Sequence, residues 1–286
     1  MICSNEKNVL VTGATGQLGF DIVKELENKK IPVIGVGSAE LDITNDKSVD
    51  KYFESHKFSH VIHCAAYTKV DAAEDEKYLN NLINVHGTEN IVAQCQKLKI
   101  PLTYFSTDYV FGGDGNIAFK EDDSVNPLCE YAKAKYKGEE IVKKLTNYFI
   151  IRISWVFGKN GNNFVKTMLK LATNKNELRV VSDQIGSPTY TVDVAKEIVE
   201  MINTKKYGIY HMTNEGFVSW ADFAREIFRQ KKINVKVIDI LTKDYGAKAN
   251  RPLNSRLDKT KLYLNGFSKM PSWQDALKRY LIEIDC

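Results

Sequence analysis

The chain lacks any apolar run close to the ~20 residues that a membrane-crossing helix needs, and its N-terminus shows no signal-peptide core. No membrane role is expected, and the expected location is cytoplasmic. Cysteine is sparse. The five (Cys3, Cys64, Cys95, Cys129, Cys286) are odd in number, widely spaced and without a C-x-x-C pair. Neither a disulfide framework nor a zinc cage fits that spacing, so reduced thiols are expected. Histidine is as rare, and His60 and His63 stand three apart in or beside an apolar strand, a spacing that turns them to opposite faces. No metal site is expected from them. Proline contributes only 6 of 286 residues, and no low-complexity tract, repeat or flexible linker is present. An excess of one charge is also missing: 40 basic residues face 36 acidic ones for a net +4, with the signs interspersed. Nucleic-acid binding would call for a concentrated basic stripe, and none is found.

What the chain does have is alternation. Short apolar runs at Val9–Val11, Ile31–Val36, His60–Ala65, Leu102–Ser106 and Tyr148–Ile153 read as buried strands. Between them, helical periodicity marks Gln17 to about Lys29, Asp46–His56, Leu79–Leu98 and Glu130–Leu145. Strands alternating with longer amphipathic helices predict an α/β fold, a doubly wound parallel sheet of the Rossmann type covered on both faces. The second half is less regular. Helices are expected at Phe164–Ala172, Thr191–Ile202, Trp220–Phe228 and Ser272–Ile284, with strands at Arg179–Val181, Gly208–Met212 and Val235–Ile238. The expected division is a dinucleotide-binding domain over residues 1–158, joined by a return helix and strand at about 191–213. Residues 159–190 and 214–286 then form a smaller α/β substrate domain woven from the C-terminal half.

Two motifs carry chemistry. Gly13-Ala14-Thr15-Gly16-Gln17-Leu18-Gly19 lies directly after the first strand and directly before the first helix. A pyrophosphate needs backbone N–H groups at a helix N-terminus and an approach free of side chains, which glycine allows. The acidic residue usually found about 20 positions on, which binds the adenosine ribose, is absent from Val36-Gly37-Ser38-Ala39. No arginine is there to grip a 2′-phosphate either, so the cofactor is NADPH or NADH, with NADPH favoured. The fourth strand ends in Ser106-Thr107-Asp108-Tyr109, at the carboxyl edge where open α/β folds bind ligands. Tyr131 and Lys135 follow at i and i+4 on one helix face. A Y-x-x-x-K pair alone says little; its place on the helix after the hydroxyl-bearing strand gives it meaning. The chemistry such an arrangement suits is carbonyl reduction. Hydride adds to the carbonyl carbon, the Tyr131 phenol donates a proton to the oxygen, and Thr107 hydrogen-bonds that oxygen. The Lys135 ammonium is expected to lower the phenol pKa from its ordinary value of about 10.

Through these motifs the chain resembles the dTDP-4-dehydrorhamnose reductase family, an atypical branch of the extended short-chain dehydrogenases/reductases. The likeness runs through nearly the whole chain. It is carried by Gly13–Gly19, Glu40–Thr44, Ala65–Asp71, Asn84–Thr88, Ser106–Gly113, Asn126–Glu139 and Arg152–Gly158. The later stretches Asp183–Thr189 and Arg251–Asp258 are more particular to that family than the glycine loop. The resemblance implies reduction of the C4 carbonyl of dTDP-4-dehydro-6-deoxy-L-mannose to dTDP-L-rhamnose. It implies a catalytic trio of Thr107, Tyr131 and Lys135. It places Gly13, Thr15, Gly16, Gln17, Leu18, Gly19, Asp42, Ile43, Ala65, Ala66 and Tyr67 along the cofactor, with Tyr131 and Lys135 at its reactive end.

For the substrate, the resemblance implies Thr107, Asp108, Tyr109, Trp155, Asn163, Arg251 and Arg256. Trp155 would pack on the 6-deoxy sugar, or else serve as a core residue. Asn163 and the two arginines would meet the diphosphate, or else hold the segments together, with Asp258 as a possible arginine partner. Ala132 and Ala134 replace the family's more usual residues beside the Tyr and Lys, and Gly112-Gly113 replaces an acidic residue. Some members are magnesium-linked dimers. Asp21 stands near one expected carboxylate, but that single position predicts neither metal nor dimer, so monomer and homodimer both stay open. Two rivals share the scaffold: a nucleotide-sugar 4,6-dehydratase or 4-epimerase, which recycles its cofactor without net consumption, and a non-catalytic regulatory subunit like that of methionine adenosyltransferase.

Overall fold

The structure is a computed structural model, and it describes residues 7–285. Cys3 and Cys286 lie outside the described residues. Six parallel strands build the main sheet: β1 (Asn8–Thr12), β2 (Val33–Val36), β3 (Phe58–His63), β4 (Leu102–Thr107), β5 (Tyr148–Ile153) and β10 (Gly208–His211). Their order is β10-β5-β4-β3-β1-β2. The chain runs outward from β1 to β2, then returns to β3 on the other side. That reversal opens a crevice at the carboxyl ends of β1 and β3.

Both faces of the sheet are buried because neighbouring residues of each strand point opposite ways. Val9 and Val11 pack on one side with Leu18 and Ile22 of helix α1 (Gln17–Asn28) and Val194 and Ile198 of α7 (Thr191–Met201). Leu10 points the other way, to meet Val61, Leu102 and Ile150. That face is covered by α2 (Asp46–Ser55), α4 (Gly87–Leu98) and α5 (Glu130–Val142). Each fully buried Leu, Ile or Val contributes ~1.5–3 kcal/mol, so the two faces together dominate stability. A third cluster, around Phe157, Tyr190, Phe223, Trp273 and Tyr280, lies among the later elements.

Several boundaries differ from expectation. β2 starts at Val33 rather than Ile31, since Pro32 offers no N–H to the ladder; its carbonyl accepts from Val9 N at 2.8 Å instead. β3 ends at His63, which leaves Ala65 and Ala66 beyond the strand, at the crevice. The helix expected over Leu79–Leu98 begins earlier as α3 (Lys77–Asn81), widens into a π-helical turn at Leu82–His86 and resumes as α4. That turn holds Asn84 against the backbone of Tyr67: Asn84 Oδ1 accepts from Tyr67 N at 3.0 Å, and its Nδ2 donates to Tyr67 O at 2.9 Å.

In the second half, α6 (Phe164–Ala172) is followed by β7 (Glu177–Val181), which pairs in parallel with β12 (Lys236–Ile240). Helix α8 (Trp220–Lys231) and the closing α11 (Trp273–Asp285) frame this region. Four two-residue strands escape any periodicity: β6 (Val156–Phe157), β8 (Ile185–Gly186), β9 (Thr189–Tyr190) and β11 (Val218–Ser219). So do the short helices α9 (Thr242–Tyr245) and α10 (Thr260–Leu264). No helix among the described residues is long and apolar enough to cross a membrane.

Candidate active site

The glycine turn is shaped by contact. Gly13 has φ +68°, and a Cβ there would lie 2.6 Å from the backbone N of Ala65. A Cβ on Gly19 would lie 2.3 Å from the Gly13 carbonyl oxygen. The loop between β1 and α1 therefore packs directly on the segment after β3, and only glycine permits it. Gly16 caps α1 without a side chain of its own. A helix N-terminus entered this way suits a bound phosphate.

Two cavities meet at this loop. The smaller, about 350 Å³, is lined by Thr15, Gly37, Ser38, Asp42, Ile43 and Ala65, among others. Asp42 turns its carboxylate onto Thr44, accepting from that residue's N at 2.9 Å and Oγ1 at 2.7 Å. The larger, about 640 Å³, runs along the carboxyl ends of β1, β3, β4 and β5. Gly16, Gln17 and Leu18 line one end of it; Thr107, Asp108, Tyr109, Tyr131, Lys135 and Trp155 line the other. Residues that the sequence separates by 122 positions therefore share one wall system, from Gly13 to Lys135.

The trio converges in that larger cavity. Thr107 Oγ1 accepts from Tyr109 N at 3.2 Å and donates to Asp108 Oδ1 at 3.0 Å. The Tyr131 phenol is pushed above its ordinary range by burial first and by the Asp108 carboxyl next, while a hydrogen bond with Thr107 pulls the other way. This corrects the expectation that Lys135 lowers it. Burial dominates, and the Lys135 ammonium instead sits 4.1 Å over the Tyr104 ring. Burial pushes Lys135 down to about 7, against the opposing charge of Glu139. Asp108 is pushed up to about 6, again by burial, with hydroxyl hydrogen bonds opposing. Ser106, which also lines this cavity, keeps a buried Oγ without a hydrogen-bond partner.

The profile described as "RmlD substrate binding domain" matches residues 7–286. A dTDP-4-dehydrorhamnose reductase of Aggregatibacter actinomycetemcomitans is 44% identical over 285 residues, spanning 94% of this chain and 97% of that protein. The chain belongs to the dTDP-4-dehydrorhamnose reductase family. A Bacillus subtilis relative, the spore coat polysaccharide biosynthesis protein SpsK, is 40% identical over 96% of this chain and 97% of its own length. The crystal structure of the Bacillus anthracis dTDP-4-dehydrorhamnose reductase in complex with NADP superposes with a TM-score of 0.94 at 43% identity, covering 97% of this chain and 99% of that one.

Membership in the reductase family does not place every expected residue at the cavity. Asn163 makes the contacts of its alternative role: it caps α6, its Oδ1 accepting from Lys166 N at 3.0 Å. Its Nδ2 donates to Gly158 O at 2.9 Å, Tyr280 Oη at 3.0 Å and Gln17 Oε1 at 3.1 Å. Those contacts join the glycine turn to α6 and α11. Arg251 takes its alternative role, pairing with Asp71 at 2.6 Å while Asp71 also accepts from Ala249 N at 3.1 Å. Arg256 donates to Asn254 Oδ1 at 2.9 Å and lies over Phe217, and Asp258 accepts from Thr260 N instead of pairing with an arginine. Neither arginine lines the larger cavity. Tyr67 lines neither cavity; its hydroxyl donates to Glu76 at 2.8 Å. Asp21 is buried against α7, where Thr191 donates to it. Among the described residues no group of three or more His, Cys, Asp or Glu gathers to hold a metal ion. His60 and His63 are buried, pushed down to about 3 by that burial, and hydrogen-bonded to Thr103 and Thr12.

Trp220 was hidden in the sequence as the start of a helix. It lines the larger cavity and stacks on Trp155, ring centroids 3.6 Å apart at 11°. Its Nε1 donates to Gln184 Oε1 at 3.2 Å, which fixes the indole from behind. Trp155 itself holds φ +48°, a conformation that costs a non-glycine residue ~1–3 kcal/mol and turns it into the stack. Trp220→Ala is therefore expected to raise KM for the sugar nucleotide about three- to tenfold, the value of one aromatic pair. KM for NADPH should stay unchanged; steady-state kinetics with each substrate varied in turn would show otherwise if Trp220 were only a core residue.

Proposed function

We propose that this chain reduces the C4 carbonyl of dTDP-4-dehydro-6-deoxy-L-mannose to give dTDP-L-rhamnose, using NADPH or NADH. The observation that carries the reading is the convergence of Thr107, Tyr131 and Lys135 on one cavity, beside a glycine turn shaped for a dinucleotide. The cofactor, when bound, supplies hydride to the carbonyl carbon. Gly13, Gly16, Gln17 and Leu18 would hold its pyrophosphate side, and Asp42, Ile43, Ala65 and Ala66 its nucleoside end. Thr107 orients the carbonyl oxygen. Tyr131 gives that oxygen its proton, which its raised pKa keeps in place until an alkoxide, a stronger base than the phenolate, develops. Lys135 then supplies positive charge beside the phenolate left behind. Trp155, backed by Trp220, offers a planar apolar face to the 6-deoxy sugar.

NADPH is the preferred form in this reading. Gly37 and Ser38 bring no charge to the smaller cavity, and the Glu40 carboxylate is turned back to accept from Gly37 N at 2.8 Å. Residues 159–190 and 214–286 act in this reading as the substrate domain. The test is the reverse reaction: dTDP-L-rhamnose with NADP⁺ should raise nicotinamide absorbance, and the forward reaction should consume it. Silence in both directions from folded protein would overturn the proposal and favour a binding role.

A further inference from the structure

Behind the reactive face of α5 lies a charged pair that the chemistry above does not use. Glu139 is fully buried and Arg152 is 2% exposed. Arg152 Nε and Nη2 donate to the two Glu139 carboxylate oxygens at 2.9 and 2.8 Å. Its Nη1 donates to the Glu121 carbonyl at 3.1 Å, and its guanidinium lies 5.0 Å from the Phe111 ring centroid. A pair this deep forfeits the hydration of two ions, and apolar residues of equal volume would often serve stability as well. Its presence calls for another reason.

Glu139 stands one helical turn past Lys135, on the same face of α5. Between them Gly138 leaves room for Tyr104, whose Oη a Cβ there would meet at 2.2 Å. The Tyr104 hydroxyl donates to the Lys135 carbonyl at 3.2 Å while its ring lies under the ammonium. The groups around Lys135 are His63 and Cys64 from the end of β3, Tyr104 from β4 and Glu139 from α5, with Arg152 of β5 behind Glu139; Tyr131 stands one turn earlier on the same helix face and lines the same cavity. Burial keeps His63 neutral and holds the Cys64 thiol protonated. Glu139 is left as the anion that offsets the cost of burying the Lys135 charge.

We propose that Glu139, clamped by Arg152, is a positioning residue that keeps the Lys135 side chain charged and set beside Tyr131. The inference rests on the proposed roles of Tyr131 and Lys135. Reduction needs the charged form of Lys135, so activity falls as pH rises through its titration. Glu139→Gln would leave the Arg152 charge buried alone and could unfold the chain, so the main variant is the double substitution Glu139→Leu with Arg152→Met. In that variant the alkaline limb of kcat/KM against pH should move at least one unit lower. The rate at pH 8 should fall about tenfold relative to wild type and recover at lower pH. A uniform loss with the limb in place would overturn the inference and leave the pair a structural role. The Lys135 titration is also read without turnover, by NMR of protein labelled with ε-¹³C-lysine and assigned through Lys135→Arg. An inactive wild type would sink the proposed reaction; an unmoved Lys135 resonance in the double variant would sink this inference alone.

Discussion

Tyr131→Phe is expected to lower kcat by roughly 10²–10⁴-fold, the usual worth of a positioned general acid. The substitution removes one hydroxyl from a ring already seated edge-on against Tyr109, with centroids 6.2 Å apart at 82°. The ring should keep that place. NADPH affinity should therefore stay within about twofold, because the contacts shaping the glycine turn lie elsewhere. Loss of rate without loss of cofactor binding identifies the proton donor. Wild-type-like turnover would remove Tyr131 from that role and turn attention to Asp108, which lines the same cavity and is pushed up to about 6 by burial.

Gly13→Ala should severely damage the cofactor loop. The new Cβ would meet Ala65 N at 2.6 Å, Ala65 Cα at 2.8 Å and the Cys64 carbonyl carbon at 2.8 Å, all backbone atoms that cannot swing aside. Strain at positive φ adds ~1–3 kcal/mol, and overpacking a similar amount. Together these predict a destabilisation of about 2–6 kcal/mol, a fall of roughly 5–20 °C in Tm. NADPH binding should weaken more than tenfold, since relief of the clash opens the turn. Gly115→Ala is the control: φ is +74° there, yet nothing lies within 4 Å. It should cost only the backbone strain and leave cofactor binding alone. Equal losses in the two variants, measured by thermal unfolding and cofactor titration, would contradict a steric role for Gly13.

What the sequence made legible was local. The glycine spacing, the Ser106–Tyr109 strand end and the Tyr131/Lys135 helix face each lie within a few residues, and the alternation of elements brings them to one sheet edge. Contacts between distant segments were not legible. The resemblance left Asn163 either to meet the diphosphate or to hold segments together, and only the structure shows its amide reaching Gln17, 146 positions earlier. Arg251 read the same way, yet Asp71, 180 positions away, holds it. Trp220 has no sequence signal, because its partner Trp155 is positioned by an unusual backbone angle that no periodicity reports. The π-helical turn around Asn84 kept its apolar spacing and so passed for ordinary helix. The raised Tyr131 pKa depended on burial, which the i, i+4 spacing could not weigh.

The most direct measurement uses nicotinamide cofactor deuterated on the carbon that gives up hydride, with dTDP-4-dehydro-6-deoxy-L-mannose as acceptor. One deuterium should appear at C4 of the dTDP-L-rhamnose formed, with one cofactor oxidised per product. Product carrying no deuterium at C4, or formed without net oxidation of cofactor, would contradict reduction and point to epimerase- or dehydratase-type chemistry on the same scaffold.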